Sequence, residues 1–230
     1  MKHFFHIEKQ IIGIPMIMLI ALVGLPLVQV KAENSDASKS WNFDAVPVGS
    51  FTEEFQIGTM YDGRPAGDWK VVEAEDAPSP THALGQLMNK GAEHAYKVVL
   101  AKDIQAADLD LQVSFFAIAG KGDMGGGLIW RATDDRNYYL TRANPLEQNI
   151  RIYHVIKGIR KMLLNYDQTI DVKKWHRLRV RTEGCRIQVF YDAQSVFDLC
   201  DRTFTAGRVG LWTKSDAVTY FDNLELKIVK

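Results

Sequence analysis

Between Gly125 and Gly158 the chain carries Arg131, Tyr139, Arg142, Asn149, Arg151 and Tyr153. Tyrosine rings stack on the apolar faces of sugars, and arginine and asparagine groups donate hydrogen bonds to hydroxyls. At alternating positions on strands, these side chains would make a surface for a polyhydroxylated ligand. The same set also suits the ordinary wet face of an antiparallel sheet. Lys214, after Gly210-Leu211-Trp212-Thr213, is a candidate for the rim of such a surface. The plainer alternative makes it a surface charge beside a core tryptophan.

Other chemistry is harder to find. The six histidines, His3, His6, His82, His94, His154 and His176, form no His-x-His or His-Glu-x-x-His pattern, so no zinc site is legible. There is no Gly-x-Ser-x-Gly elbow for a serine nucleophile. The glycine-rich stretch from Gly120 to Gly127 lacks the strand-loop-helix setting of a phosphate-binding loop. No strand places two Glu and an Asp together as paired carboxylates; Glu73-Ala74-Glu75-Asp76 and Asp108-Leu109-Asp110 come nearest. Catalytic residues therefore stay unassigned, and no cofactor is called for. A structural calcium held by Asp222 and Asp44 is an open alternative, although no calcium-loop motif is present. Asp134-Asp135 reads as a polar turn, with a place beside the binding surface as the alternative.

Strands must position the candidate residues. The pattern predicts three antiparallel strands, Gly127 to Arg131, Asn137 to Ala143 and Asn149 to Ile156, joined by loops of about five residues. Loops of that length pair Ile129 with Tyr139 and Thr141 with Arg151. Successive side chains point to opposite faces. One face then holds Leu128, Trp130, Tyr138, Leu140, Ile150, Ile152 and Ile156, with Arg142 and His154 as its polar members. The other holds Arg131, Tyr139, Thr141, Asn149, Arg151 and Tyr153. Arg142 ends its strand and can turn toward the second face; buried alone it would need a carboxylate. A slip of one residue exchanges the two sets.

The chain has 230 residues with 28 basic and 28 acidic side chains, which speaks against a nucleic-acid partner. Short runs rich in Val, Ile, Phe, Tyr and Thr, separated by Gly, Asp and Asn, indicate an all-β sandwich or barrel. Residues 1–32 read as a secretory signal: Lys2 and Lys9 precede an apolar run from Ile11 to Val30, and Val30-Lys31-Ala32 offers a cleavage site. An uncleaved membrane anchor is the alternative; with the signal removed, no stable membrane insertion is expected. Cleavage removes three lysines and one glutamate and leaves a net charge of −2. Residues 33–48 form a linker and the start of the first strand, and residues 49–230 one sandwich domain. Ala83 to Met88 reads equally as a helical turn or an irregular strand.

Cys185 and Cys200 are expected to form a disulfide, which an exported protein permits. A two-residue turn at Asp192-Ala193 sets them opposite each other. The apolar pattern instead matches Val189 with Phe197 and Ile187 with Leu199, which needs a three-residue turn; a bulge reconciles the two.

The segment GGGLIWRATDDRNYYLTRANPLEQNIRIYHV, then Trp175-His176-Arg177-Leu178-Arg179-Val180, then AGRVGLWTKSDAVTYFDNLEL resembles the bacterial family of domain of unknown function 1080. That family is also called the 3-keto-disaccharide hydrolase domain, in the concanavalin A-like lectin/glucanase superfamily. The resemblance covers about residues 41–228. It implies a jelly-roll sandwich of two curved antiparallel sheets with carbohydrate on the concave face. The opening Trp41-Asn42-Phe43-Asp44 departs from the Leu-Phe-(Asn/Asp)-Gly-Lys start of hydrolase-like members, which marks a divergent branch. The expected partner is carbohydrate. Three roles follow in order: glycan binding, glycoside cleavage of the 3-keto-disaccharide type, and a non-catalytic interaction module of the cell envelope. The sequence is silent on oligomeric state.

Overall fold

The computed structural model describes Met1, residues 37–60 and residues 62–229. The proposed signal segment, and with it the cleavage site, lies outside the described residues apart from Met1. By backbone contacts the chain divides into Met1–Asn34 and Ser35–Lys230.

Fifteen strands and no helix make up the described part of the second unit. They are β1 (Ser38–Trp41), β2 (Phe55–Ile57), β3 (Trp69–Glu73), β4 (His82–Gln86), β5 (Tyr96–Ala101), β6 (Leu109–Ala119), β7 (Gly126–Asp134), β8 (Asn137–Asn144), β9 (Asn149–Ile156), β10 (Ile159–Asp167), β11 (Trp175–Glu183), β12 (Arg186–Tyr191), β13 (Gln194–Cys200), β14 (Arg208–Lys214) and β15 (Val218–Ile228). One sheet runs β13-β12-β11-β6-β15-β4-β3, with β1 on β15; the other runs β10-β9-β8-β7-β14-β5-β2. Neighbours pair antiparallel throughout. The protein is an all-β sandwich of two antiparallel sheets, as the residue pattern predicts.

Alternation builds the core between the sheets. In β6, Leu109, Leu111, Val113 and Phe115 are buried, while Asp110 and Gln112 between them are only half-buried. They meet Leu128, Trp130, Tyr139, Ile150 and Ile152 from the second sheet in one cluster. A second cluster lies on the opposite side of that sheet: Val98, Leu100, Ile129, Tyr138, Leu140, Tyr153, Val155 and Trp212. The second sheet is thus apolar on both faces, and this outer face is where the candidate residues gather.

The loops are shorter than expected, and this moves β8 by one residue. Asp134 pairs with Asn137 across a two-residue turn, and Trp130, not Ile129, faces Tyr139. The extra residues sit in a bulge after Trp130, where Arg131 adopts φ 49°. On the other side Asn144 pairs with Asn149 across four residues, and Arg142 faces Arg151. The expected faces hold for β9 and for β7 as far as Trp130, fail at Arg131 in the bulge, and are exchanged for β8. Tyr139 and Thr141 point into the core; Tyr138, Leu140 and Arg142 point outward. β10, absent from the expected set, follows a two-residue turn in which Lys157 and Gly158 both have positive φ, 51° and 78°.

Cys185 and Cys200 are joined. The turn at Asp192-Ala193 has two residues, with Tyr191 paired to Gln194, and a bulge between Val189 and Phe190 restores the Val189–Phe197 and Ile187–Leu199 pairs. With a sequence separation of 15, the link contributes roughly 3 kcal/mol through the unfolded chain.

Asp44 and Asp222 come together around Ser79. Asp222 accepts the backbone N–H of Ser79 at 2.8 Å and of Asn223 at 2.7 Å; Asp44 accepts the Ser79 hydroxyl at 2.5 Å and the N–H of Thr81 at 2.8 Å. Among the described residues no group of three or more acidic, His or Cys side chains is arranged to hold a metal. Burial, with the nearby Asp44 charge, pushes the Asp222 carboxyl up to about 6. An acid raised in the folded state is stabilising when protonated, so stability falls as pH climbs from 3.8 through 6. Asp222→Asn, which removes the titrating group but sets its amide nitrogen against one of the two N–H donors, is therefore expected to flatten the gain that wild type shows between pH 7 and 5. Thermal denaturation across that range, with and without calcium, checks this. A large calcium-dependent rise in Tm would reverse the assignment and favour a bound cation.

Candidate functional site

The outer face of the second sheet carries a polar cluster at the β8–β9 end. Arg142 and Arg151 face each other across adjacent strands. Gly127 on β7 lies against Arg142: a Cβ there would come within 2.5 Å of the Thr141 carbonyl oxygen and 3.0 Å of the Arg142 Cβ, so the strands approach this closely only at a bare position. Arg142 donates through Nη1 to Asn149 Oδ1 at 2.5 Å and through Nη2 to Glu147 Oε2 at 2.9 Å. Arg151 donates to the same Glu147 oxygen at 2.5 Å and to Asn165 Oδ1 at 2.7 Å. Tyr153 brings its hydroxyl to 3.4 Å from Arg142 Nη2. The Nε of Arg142 is buried without a partner.

Glu147 is the hub, and the loop that carries it is shaped by Asn144. The Asn144 Oδ1 accepts the backbone N–H of Leu146 at 2.9 Å and of Glu147 at 3.2 Å, which folds residues 145–148 back over the cluster. Burial opposes the Glu147 charge, but Arg142 and Arg151 outweigh it and hold the carboxyl below its ordinary value.

A buried ion pair adjoins the hub. Lys214 Nζ lies 3.1 Å from Asp123 Oδ2, with both side chains almost fully enclosed. Asn144 Nδ2 reaches Asp123 Oδ1 at 3.2 Å and Glu147 Oε1 at 3.3 Å, linking the two carboxylates. Burial raises the Asp123 carboxyl; Lys214 and Arg142 pull it down without cancelling the effect. The loop bearing Asp123 is pinned from below. Asp216 accepts the backbone N–H of Lys121 at 2.7 Å, Gly122 at 3.0 Å and Asp123 at 2.9 Å. Burial works against the Asp216 charge, yet these three donors hold its carboxyl at about 2. Gly125 closes the loop onto β8 with φ 105°, where any Cβ would strike the Ala143 carbonyl oxygen at 2.1 Å.

Next to this cluster lies an aromatic group, buried at Tyr153 and Trp212 and covered by Arg160. The guanidinium of Arg160, reaching in from β10, lies 4.3 Å from the Tyr153 ring centre, 5.5 Å from Trp212 and 5.6 Å from Tyr96. Tyr96 and Trp212 pack at 5.5 Å.

Of the residues expected from sequence, Arg142, Asn149, Arg151, Tyr153 and Lys214 meet on this face. Two do not. Tyr139 stacks on Trp130 at 5.5 Å within the core and donates to Asp201. Arg131 turns away at the bulge: its guanidinium donates to the carbonyls of Ala107 (2.8 Å), Phe204 (3.1 Å) and Gly184 (2.7 Å) and to Asp108 (3.1 Å), at only 1% exposure. Both corrections have one cause, the bulge that shifts β8 and redirects Arg131. Glu147, Asp123 and Arg160 were not expected. The Lys157-Gly158 turn was the legible signal for β10 and hence Arg160; Glu147 and Asp123 sit in loops where periodicity carries no information.

No family model matches the chain. Over 108 residues, 46% of this chain, it is 30% identical to a levanase from Bacillus subtilis (strain 168); the match spans 16% of that protein. Among solved structures it is similar to carbohydrate-binding module CBM66 from Bacillus subtilis, with a TM-score of 0.61 and 21% identity over 79% of this chain and 99% of that one. It is also similar to the GH43 BlXynB protein from Bacillus licheniformis, with a TM-score of 0.58 and 14% identity over 89% of this chain and 41% of that one. These likenesses agree with the observed fold, a β-sandwich of two antiparallel sheets.

Proposed function

We propose that this is an exported, glycan-binding β-sandwich, and that the sugar sits on the outer, concave face of the β10–β2 sheet. The observation that carries the reading is the Arg142–Glu147–Arg151 network with Asn149 beside the Tyr153 ring. Its accessible groups are Arg151 and Glu147, held from beneath by buried Arg142 and Asn149 and flanked by the Arg160 guanidinium that covers the buried Tyr153 ring. This offers sugar hydroxyls fixed charged donors and acceptors. The levanase likeness makes a fructan of the levan type the first ligand to test. Calorimetric titration with levan-derived oligosaccharides, alongside other glycans, tests it; absence of heat with every glycan would remove the reading.

Export is part of the same proposal. The Cys185–Cys200 link suits an oxidising compartment. The exported protein is expected to begin at Glu33, after loss of residues 1–32, which intact-mass measurement checks; a mass that includes Met1 would contradict it.

A second reading, glycoside cleavage of the 3-keto-disaccharide type, rests on Asp123 and Glu147. One Asn144 amide bridges them, a spacing of the order that paired-carboxylate glycosidases use. Their environments also push the two acids in opposite directions. Binding is favoured because each carboxylate is committed to a cation: Asp123 to Lys214, and Glu147 to two arginines. Product release from levan oligosaccharides or 3-keto-glucosides, lost in Asp123→Asn, would favour cleavage.

A further inference from the structure

We propose that the glycan face continues into a second subsite, a pocket beside Tyr96, so that the protein grips an oligosaccharide at two places. The proposal rests on the reading of the face as a glycan site and adds where the rest of the chain goes.

The pocket has a volume of about 520 Å³, within the range of small-molecule sites. Its inner wall is formed by half-buried Met60, Met88 and Tyr96, and exposed Asp62, Arg64 and Lys90 stand at its mouth. Apolar walls under a polar rim match a sugar, whose ring faces are apolar and whose edge is lined with hydroxyls.

Side-chain contacts link the pocket wall to the polar cluster. Tyr96 packs on Trp212 at 5.5 Å; Arg160 bridges both to Tyr153, and the Tyr153 ring centre lies 6.0 Å from the Arg142 guanidinium. Strand register gives the span. Trp212 on β14 pairs with Val98 on β5 and Gly127 on β7; Gly127 pairs with Arg142 on β8, which pairs with Arg151 on β9. Four strand spacings separate β5 from β9, about 19 Å. The side chains converge above that row: the Tyr153 and Tyr96 ring centres lie 4.3 Å and 5.6 Å from the Arg160 guanidinium. A sugar seated at Arg151 and one in the pocket on the far side of Tyr96 are therefore neighbours in a single oligosaccharide.

A length series of levan-derived oligosaccharides, titrated by calorimetry, tests this. Wild type is expected to gain about tenfold in affinity from the disaccharide to chains long enough to reach Tyr96, because the second contact is made intramolecularly. Tyr96→Ala should lose that gain. Ala92→Glu, at an exposed position lining the pocket, should lose it too and keep disaccharide affinity, without touching the core. Affinity independent of length in wild type, or a gain that survives Ala92→Glu, would overturn the second subsite and leave the first intact. Failure to bind any length would remove both.

Discussion

Arg151→Ala is expected to weaken glycan binding by about 2 kcal/mol or more, roughly thirtyfold, while Tm stays within a few degrees of wild type. Binding energy concentrates in a few side chains, and arginine is prominent among them. Arg151 stands at the accessible edge of the cluster, with its side chain 28% exposed, and shares Glu147 with Arg142. Its removal takes away a donor and part of the charge that fixes Glu147, so a sugar hydroxyl meets a looser partner. The fold loses little, since a partly exposed ion pair contributes at most about 1 kcal/mol, and Arg142 still holds Glu147 at 2.9 Å. Calorimetric titration paired with thermal denaturation separates the two effects. Unchanged affinity would count directly against the face.

Arg131→Met should behave in the opposite way: stability falls by about 3 to 5 kcal/mol and affinity of the folded protein is kept. Arg131 is a buried cation whose guanidinium ties together three carbonyls and Asp108 from three separate stretches of chain. Replacing it removes the cation from Asp108, which keeps the Gly184 N–H. It also takes the guanidinium donors from the carbonyls of Phe204, Gly184 and Ala107, of which Ala107 keeps the Thr182 hydroxyl. Breaking a buried pair in this way is costly. For a domain of this size the drop in Tm is on the order of 10 °C. Denaturation followed by titration well below the new Tm is the measurement. A normal Tm with lost binding would restore Arg131 to the ligand face.

The contrast between these two arginines shows what the chain discloses before folding and what it hides. Period-two alternation is a local property, so β6, β9 and the sandwich itself could be read directly, and Asn149, Arg151 and Tyr153 were found together. Which face β8 turns outward depends on a single residue of register, and that residue is absorbed by the bulge at Arg131, φ 49°. A positive φ at an arginine has no sequence signature, because four distant hydrogen bonds impose it. Glu147 and Asp123 were invisible for a related reason: they lie in loops, and only the Asn144 and Asp216 turns aim them, Glu147 at the two arginines and Asp123 at Lys214. The cysteines show the reverse case. Their pairing and the apolar register conflicted in sequence, and one bulge between Val189 and Phe190 accommodates both.

A crystal structure with a bound levan-derived oligosaccharide would be the most direct test of the face. The account predicts sugar hydroxyls within hydrogen-bond distance of Arg142, Glu147 or Arg151, a sugar ring against the Tyr153 side of the sheet, and the chain running toward Tyr96. A ligand seated on the β13–β3 sheet, or at Arg131, would contradict it.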